Sequence, residues 1–297
     1  MSAIWAGALV VVYLVATNIL LVMGRSRVSP SGIALHFGML VAIAATTWID
    51  RVPRWLRDWA PLILLLSLYS ELPMLIRAAG HQGTYDHIVV GWEQTIFGGQ
   101  PARAWASEWP SRLISEALHT AYLSYYPVIF SVPVALYLQH RRADFGEAVF
   151  ILLLTFVACF IAYIAFPVAG PRYRWRSAVG SGPMRSVALL LLEAGSSKGT
   201  AFPSSHVAVS VTQSILALRY FGAKRGAIAA ALSVGLSLGA VYGGFHYAID
   251  VVIGALLGAV VALVGLRITA RWAPDSSRKR DRTDVPGIAT VVREEAE

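Results

Sequence analysis

The chain has 297 residues, of which 56% are hydrophobic and only 14% charged, whereas a soluble domain carries roughly 25% charged residues. With a mean hydropathy of +0.59, this excludes a soluble globular enzyme. The formal charge of +8 is spread over short segments and a tail rather than over one face, which argues against nucleic acid as a partner and for basic cytoplasmic loops.

The apolar residues form blocks of about twenty, enough to cross a hydrocarbon core of about 30 Å. The first, Ile4 to Met23, has no basic residue before it and no cleavage site after it, so it reads as a retained span. Further blocks follow at 32–49, 60–79, 113–138, 146–166, 206–221, 226–243 and 247–267. The expected fold is therefore all-α, a polytopic membrane helix bundle of about eight spans. Tyr69, Glu71, Pro73 and Arg77 interrupt the third block, and Pro127 and Pro133 lie in the fourth, where kinks are expected. Cys159, the single cysteine, sits inside an apolar block and reads as a small core residue; no disulfide or cysteine-based metal site can be built from it.

Two connections are long. Residues 80–112 contain Asp86 to Glu93, an amphipathic pattern that predicts an interfacial helix along the membrane surface. Trp92, Trp105 and Trp109 fit an aromatic belt there. Residues 167–204 are rich in Gly, Pro, Ser and Arg, and the segment from Pro274 reads as a disordered charged tail.

Eight spans place both termini on one side, with fifteen of the 25 basic residues. The positive-inside bias then makes the termini cytoplasmic and turns both long connections outward. An excess of 22 arginines over 3 lysines fits a GC-rich, bacterial genome.

Three segments carry chemistry: Phe166 to Arg176, Phe202 to His206, and His246 to Asp250. All fall at the outer membrane face. His246 and Asp250, four apart on a helix, share a face; the carboxylate can accept the Nδ1 hydrogen and leave Nε2 as a nucleophile. A structural hydrogen bond at a helix end is the competing reading. His206 follows Ser204 and Ser205 at a helix start, where free N–H groups attract an anion, although an ordinary serine cap accounts for the same residues.

Arginines suit phosphoryl oxygens, and Arg172 is the first candidate, with Arg174 second. Arg176, Arg185 and Lys198 fit surface or headgroup contacts better. No acidic cluster is placed to hold a divalent metal, so neither metal nor cofactor is expected. His119, Tyr122 and Tyr126 share one helical face of the fourth span and either line a substrate pocket or pack within the bundle. Glu71, in a span, needs a neighbour.

These residues resemble the phosphatidic acid phosphatase type 2/haloperoxidase superfamily, whose pattern is K-x6-R-P, P-S-G-H and S-R-x5-H-x3-D on a six-helix core. Pro203-Ser204-Ser205-His206 matches the second element with Ser205 for glycine, and His246 and Asp250 match the third. Ala165 stands where the lysine would be, and Gly239 and Ala240 stand for the Ser-Arg pair.

The resemblance covers about 85–267. His246 to Val252, Tyr85 to Gly98 and His119 to Tyr126 are similar to the inositol phosphorylceramide synthase-like branch. The organisation expected is N-terminal spans over 1–84, a catalytic membrane domain over 85–270 and the tail over 271–297. The resemblance implies that His246 is a nucleophile forming a phosphohistidine, Asp250 its orienting partner, His206 the acid for the leaving alkoxide, and Arg172 a phosphate ligand.

The implied activity is a lipid phosphate phosphatase or phosphotransferase with a membrane lipid as substrate. A headgroup transferase is the near alternative. A non-catalytic lipid-binding or transport protein is the alternative of another class, suggested by the two absent cations.

Overall fold

A computed structural model describes residues 2–175 and 182–271. The architecture is all-helical, as the hydropathy blocks predict, and the chain is a multi-pass membrane protein. Helices α1 (Ser2–Met23), α2 (Pro30–Trp48), α3 (Arg54–Ser70) and α4 (Leu72–Ala78) precede α5 (Asp86–Phe97) and α6 (Pro101–Glu108). There follow α7 (Arg112–Leu123), α8 (Tyr125–Val128), α9 (Ser131–Leu138), α10 (Arg142–Ala165), α11 (Pro183–Gly195), α12 (Ser205–Phe221), α13 (Ala223–Tyr242) and α14 (Ala248–Ala270).

Five of these are long and apolar enough to cross a membrane, and up to seven spans result if each of two bent pairs counts as one. That is fewer than eight for identifiable reasons. The third block breaks between α3 and α4, at 56°, where Glu71 ends one helix and Pro73 opens the next; the fourth breaks by 42° ahead of Ser131. The remaining block is α12, only 17 residues long and carrying a polar row, Ser210, Thr212, Gln213 and Ser214, turned into the protein.

The centre of the bundle is α10, whose Phe145, Leu152, Phe156, Phe160 and Tyr163 are almost fully buried. Against it pack α1, α12 and α14. Glycines set how closely α14 approaches α12: a Cβ at Gly254 would come within 2.5 Å of the Ser204 carbonyl oxygen, and one at Gly258 would overlap the Ala208 carbonyl. The start of α12 and the second and third turns of α14 therefore touch backbone to backbone.

The N-terminal helices are tied in by polar contacts. His36 on α2 bonds Thr17 on α1 through Nε2 (2.8 Å) and Glu71 through Nδ1, which supplies the neighbour that a carboxylate in a span requires. Tyr69 reaches Thr200, in the long connection, at 3.0 Å.

Candidate functional site

The three chemistry-bearing segments converge at one end of the bundle. Ser204 is the N-cap of α12, its hydroxyl accepting from the Val207 amide at 3.4 Å while its own amide donates to the Asp250 carbonyl at 2.9 Å. Tyr163, buried at the end of α10, donates its hydroxyl to the Pro203 carbonyl (3.0 Å) and accepts from the Ser205 amide (3.1 Å). The first turns of α12 and α14 are thereby fixed to each other and to α10.

On this frame the His206 and His246 rings lie 5.5 Å apart at 61°. His246 sits in the turn before α14, with Nδ1 3.1 Å from the Ala201 carbonyl and 3.5 Å from Asp250 Oδ2. The carbonyl can only accept, so Nδ1 carries the hydrogen and Nε2 keeps a free lone pair. Orientation is thus shared with a backbone carbonyl rather than supplied by Asp250 alone. The reason is local: Asp250, at the third position of α14, uses the same Oδ2 to accept from the Tyr247 amide at 2.8 Å, which caps the helix.

His119 and Tyr122 of α7 are buried beside the pair. Tyr122 OH is 3.4 Å from His206 Nε2, and the His119 ring packs on Phe245 at 5.7 Å. Tyr126 does not join them and is 41% exposed. The helix register is disturbed at Ser124, whose amide is shared between the Thr120 and Ala121 carbonyls, and Tyr125 packs on His206 instead, with ring centroids 4.3 Å apart.

A cavity of about 360 Å³ is lined by Arg172, Arg174, Arg185, Trp175, Phe245 and neighbouring residues; neither histidine lines it, and Phe245, next to His246 in the chain, forms the link between them. Arg172 donates to Ser196 and to the Tyr173 hydroxyl and lies within electrostatic reach of both imidazoles. Arg174 is exposed over the Trp175 ring. Arg185, ranked low by sequence, comes from α11 and half-buries a guanidinium whose Nη1 has no hydrogen-bond partner among the described residues. Lys198 is exposed and away from the cavity lining, and Arg176 lies outside the described residues.

Packing accounts for the absent Ser-Arg pair on α13. A Cβ at Gly239 would overlap the Leu118 carbonyl and press on Tyr122, and Ala240 is fully buried in the cluster of Tyr122 and Phe245. Aromatic rings of α7 occupy the space that longer side chains would need.

Sequence reasoning missed the two carboxylates that hold the site. Asp86, at the start of α5, accepts from the Ala169 and Gly170 amides (both 2.9 Å) and from the Tyr247 hydroxyl (3.0 Å). It thereby joins the turn that delivers Arg172 to the turn that delivers His246. Gly170 adopts φ +99°, a conformation that glycine takes without strain.

Glu93, seven residues on and on the same face, accepts from the Ala248 and Ile249 amides at 2.6 and 3.3 Å. Burial works against both charges. Asp86 nevertheless stays below the ordinary carboxylate value because Thr84, the Ala169 and Gly170 amides and Tyr247 all donate to it. Glu93 has only two amide donors and the Asp250 carboxylate nearby, so burial pushes it up to about 7. The amphipathic helix expected at 86–97 exists, but its buried face is acidic. The Asp86/Glu93 spacing of two turns was the readable signal.

Among the described residues no group of three or more His, Cys, Asp or Glu is gathered to hold a metal. Residues 96–264, more than half of the chain, match the family model described as the PAP2 superfamily. No curated protein and no solved structure matches the chain.

Proposed function

We propose that this chain, which belongs to the PAP2 superfamily, cleaves a phosphate ester of a membrane lipid through a covalent phosphohistidine. The reading rests above all on the His206–His246 pair, 5.5 Å apart at two helix starts, with an arginine-lined cavity bounded by Phe245, the residue before His246.

His246 Nε2 attacks phosphorus as the ester P–O bond breaks, and protonated His206 gives its proton to the leaving alkoxide. Water then attacks the phosphohistidine, His206 takes the proton back, and phosphate leaves with His246 restored. Asp250 and the Ala201 carbonyl keep the Nδ1 hydrogen in place. Arg172, with Arg174 and Arg185, balances charge on the phosphoryl oxygens. Ser204 and Ser205 supply the α12 N-terminus that faces the anion. The site opens on the extracytoplasmic side if both termini are cytoplasmic, as the arginine distribution favours.

If an alcohol of a second lipid replaces water, the same chemistry becomes headgroup transfer of the inositol phosphorylceramide synthase-like kind, a reading that rests on the residue pattern around His246 and in Tyr85 to Gly98. Purified protein incubated with lipid carrying radiolabelled phosphate is expected to trap acid-labile label that His246→Ala abolishes. Full turnover in His246→Ala would overturn the mechanism. Product analysis with and without ceramide or inositol lipids separates release from transfer.

A further inference from the structure

A second cavity lies at the opposite end of the bundle and has no part in the chemistry above. It measures about 560 Å³ and is lined by Ile4 of α1, Arg54, Trp55, Arg57 and Asp58 of α3, Tyr137 of α9 and Arg142 of α10. It is a built site. The Arg142 guanidinium sits 3.4 Å over the Tyr137 ring, which is itself packed on Trp59 and Phe145. Arg57 is fixed through the Ile49 carbonyl at 2.9 Å and faces Asp50 at 3.9 Å, while its buried Nε has no hydrogen-bond partner among the described residues. Among the described residues neither Arg54 nor Arg142 makes an ion pair; Asp58 is the one acid in the lining, and with Asp50, which faces Arg57, counted as well, the three arginines keep a local charge of +1. Three arginines held together with two carboxylates keep an excess of positive charge that an anion would balance.

The surroundings say what kind of anion. Trp55 and Ile4 are 58% and 40% exposed at the cavity mouth. From Ile4 an exposed apolar stripe, Val12, Val15, Ile19 and Val22, continues along one face of α1. A charged head in the cavity and an acyl chain along that stripe match a lipid, and basic pockets between membrane helices are suited to anionic headgroups. We propose that this cavity binds the phosphate headgroup of an anionic phospholipid in the leaflet opposite the histidines. So placed, the lipid contacts α1 and α3 on one side and α9 and α10 on the other, and fastens the N-terminal helices to the rest of the bundle.

The test uses the full chain in phosphatidylcholine nanodiscs, with phosphatidylglycerol added in steps and thermal unfolding and native mass spectrometry as readouts. Phosphatidylglycerol should raise the midpoint of the wild type and of Arg172→Gln alike, which separates this site from the proposed catalytic one. In Arg54→Gln/Arg142→Gln the apparent affinity should fall about 25-fold, about fivefold per arginine, which is about 1 kcal/mol each, with turnover retained. Asp58→Asn, which adds a positive charge to the lining, should tighten binding about fivefold and guards against a double variant that fails to fold. The proposal is overturned if the double variant binds phosphatidylglycerol like the wild type, if phosphatidylcholine stabilises equally, or if Asp58→Asn weakens binding. Equal stabilisation by inorganic phosphate alone would place a soluble anion in the cavity and also overturn it.

Discussion

Replacing Asp86 by asparagine tests whether the site is held from α5. Besides one from Thr84, the carboxylate receives hydrogen bonds from the Ala169 and Gly170 amides and the Tyr247 hydroxyl. An asparagine offers one acceptor oxygen, and its amide hydrogens then face a backbone N–H. With that oxygen in the Oδ1 place, the Ala169 amide loses its acceptor at about 1–3 kcal/mol and the Gly170 and Tyr247 bonds fall from charge-assisted to neutral, so destabilisation of about 3 kcal/mol is expected. That corresponds to a fall of roughly 6–12 °C in the unfolding midpoint.

The same bonds set where Arg172 and His246 stand relative to each other. A displacement of about 1 Å between them would reduce kcat about 100-fold. Thermal unfolding and turnover of a short-chain lipid phosphate are the assays, with Tyr247→Phe, which removes one bond and leaves the carboxylate, as the intermediate case. Asp86→Asn with a wild-type midpoint and wild-type kcat would refute the reasoning. Because the folded Asp86 pKa is depressed, its contribution is present above the ordinary carboxylate range and is lost as pH falls through the folded value. The wild type should therefore lose stability on acidification more than Asp86→Asn does.

Glu93 predicts the opposite slope: with its folded pKa raised to about 7, the folded state binds the extra proton, and stability declines as pH rises between about 4.5 and 7. Glu93→Gln keeps an acceptor for the Ala248 and Ile249 amides and should flatten that decline, as unfolding midpoints across the range would register. Arg185→Gln is expected to weaken competitive inhibition by inorganic phosphate about tenfold, since a charged hydrogen bond contributes about 1.5 kcal/mol or more, whereas Arg174→Gln, at an exposed position, should change it by less than half that factor. Equal inhibition constants for wild type and Arg185→Gln would remove Arg185 from the phosphate site. Tyr163→Phe leaves the buried Ser205 amide without its acceptor and should cost about 1–3 kcal/mol in stability; a midpoint unchanged from wild type would show that another group takes over.

Hydropathy made the helical bundle and most of its spans legible, and prolines with Glu71 located the two bends. The three segments around Arg172, His206 and His246 were readable because helix starts and histidine–carboxylate spacing are local features. What stayed hidden was set by tertiary packing. Tyr126 shares a helical face with Tyr122 on paper, yet a shared amide at Ser124 is enough to bring Tyr125 to His206 in its place. Arg185 looked like a surface residue because nothing in its sequence says that α11 folds back over α7. Asp86 and Glu93 sat in view on a helix expected at the membrane surface. Only a neighbouring backbone with unpaired amides turns such residues inward, and those amides belong to segments some 80 and 155 residues downstream.

The glycine contacts between α12 and α14 separate two design problems. Gly254 and Gly258, about two and three turns into α14, rest on the Ser204 and Ala208 carbonyls at the cap and first turn of α12, so the gap between the two histidines is gauged by bare backbone beneath them, as by a caliper. The walls of the cavity come from elsewhere, from Arg185 and Leu189 of α11 and from the turn at Arg172 to Trp175. Side chains there can change size and charge, and with them the molecule admitted, while the spacing of the two histidines is left untouched.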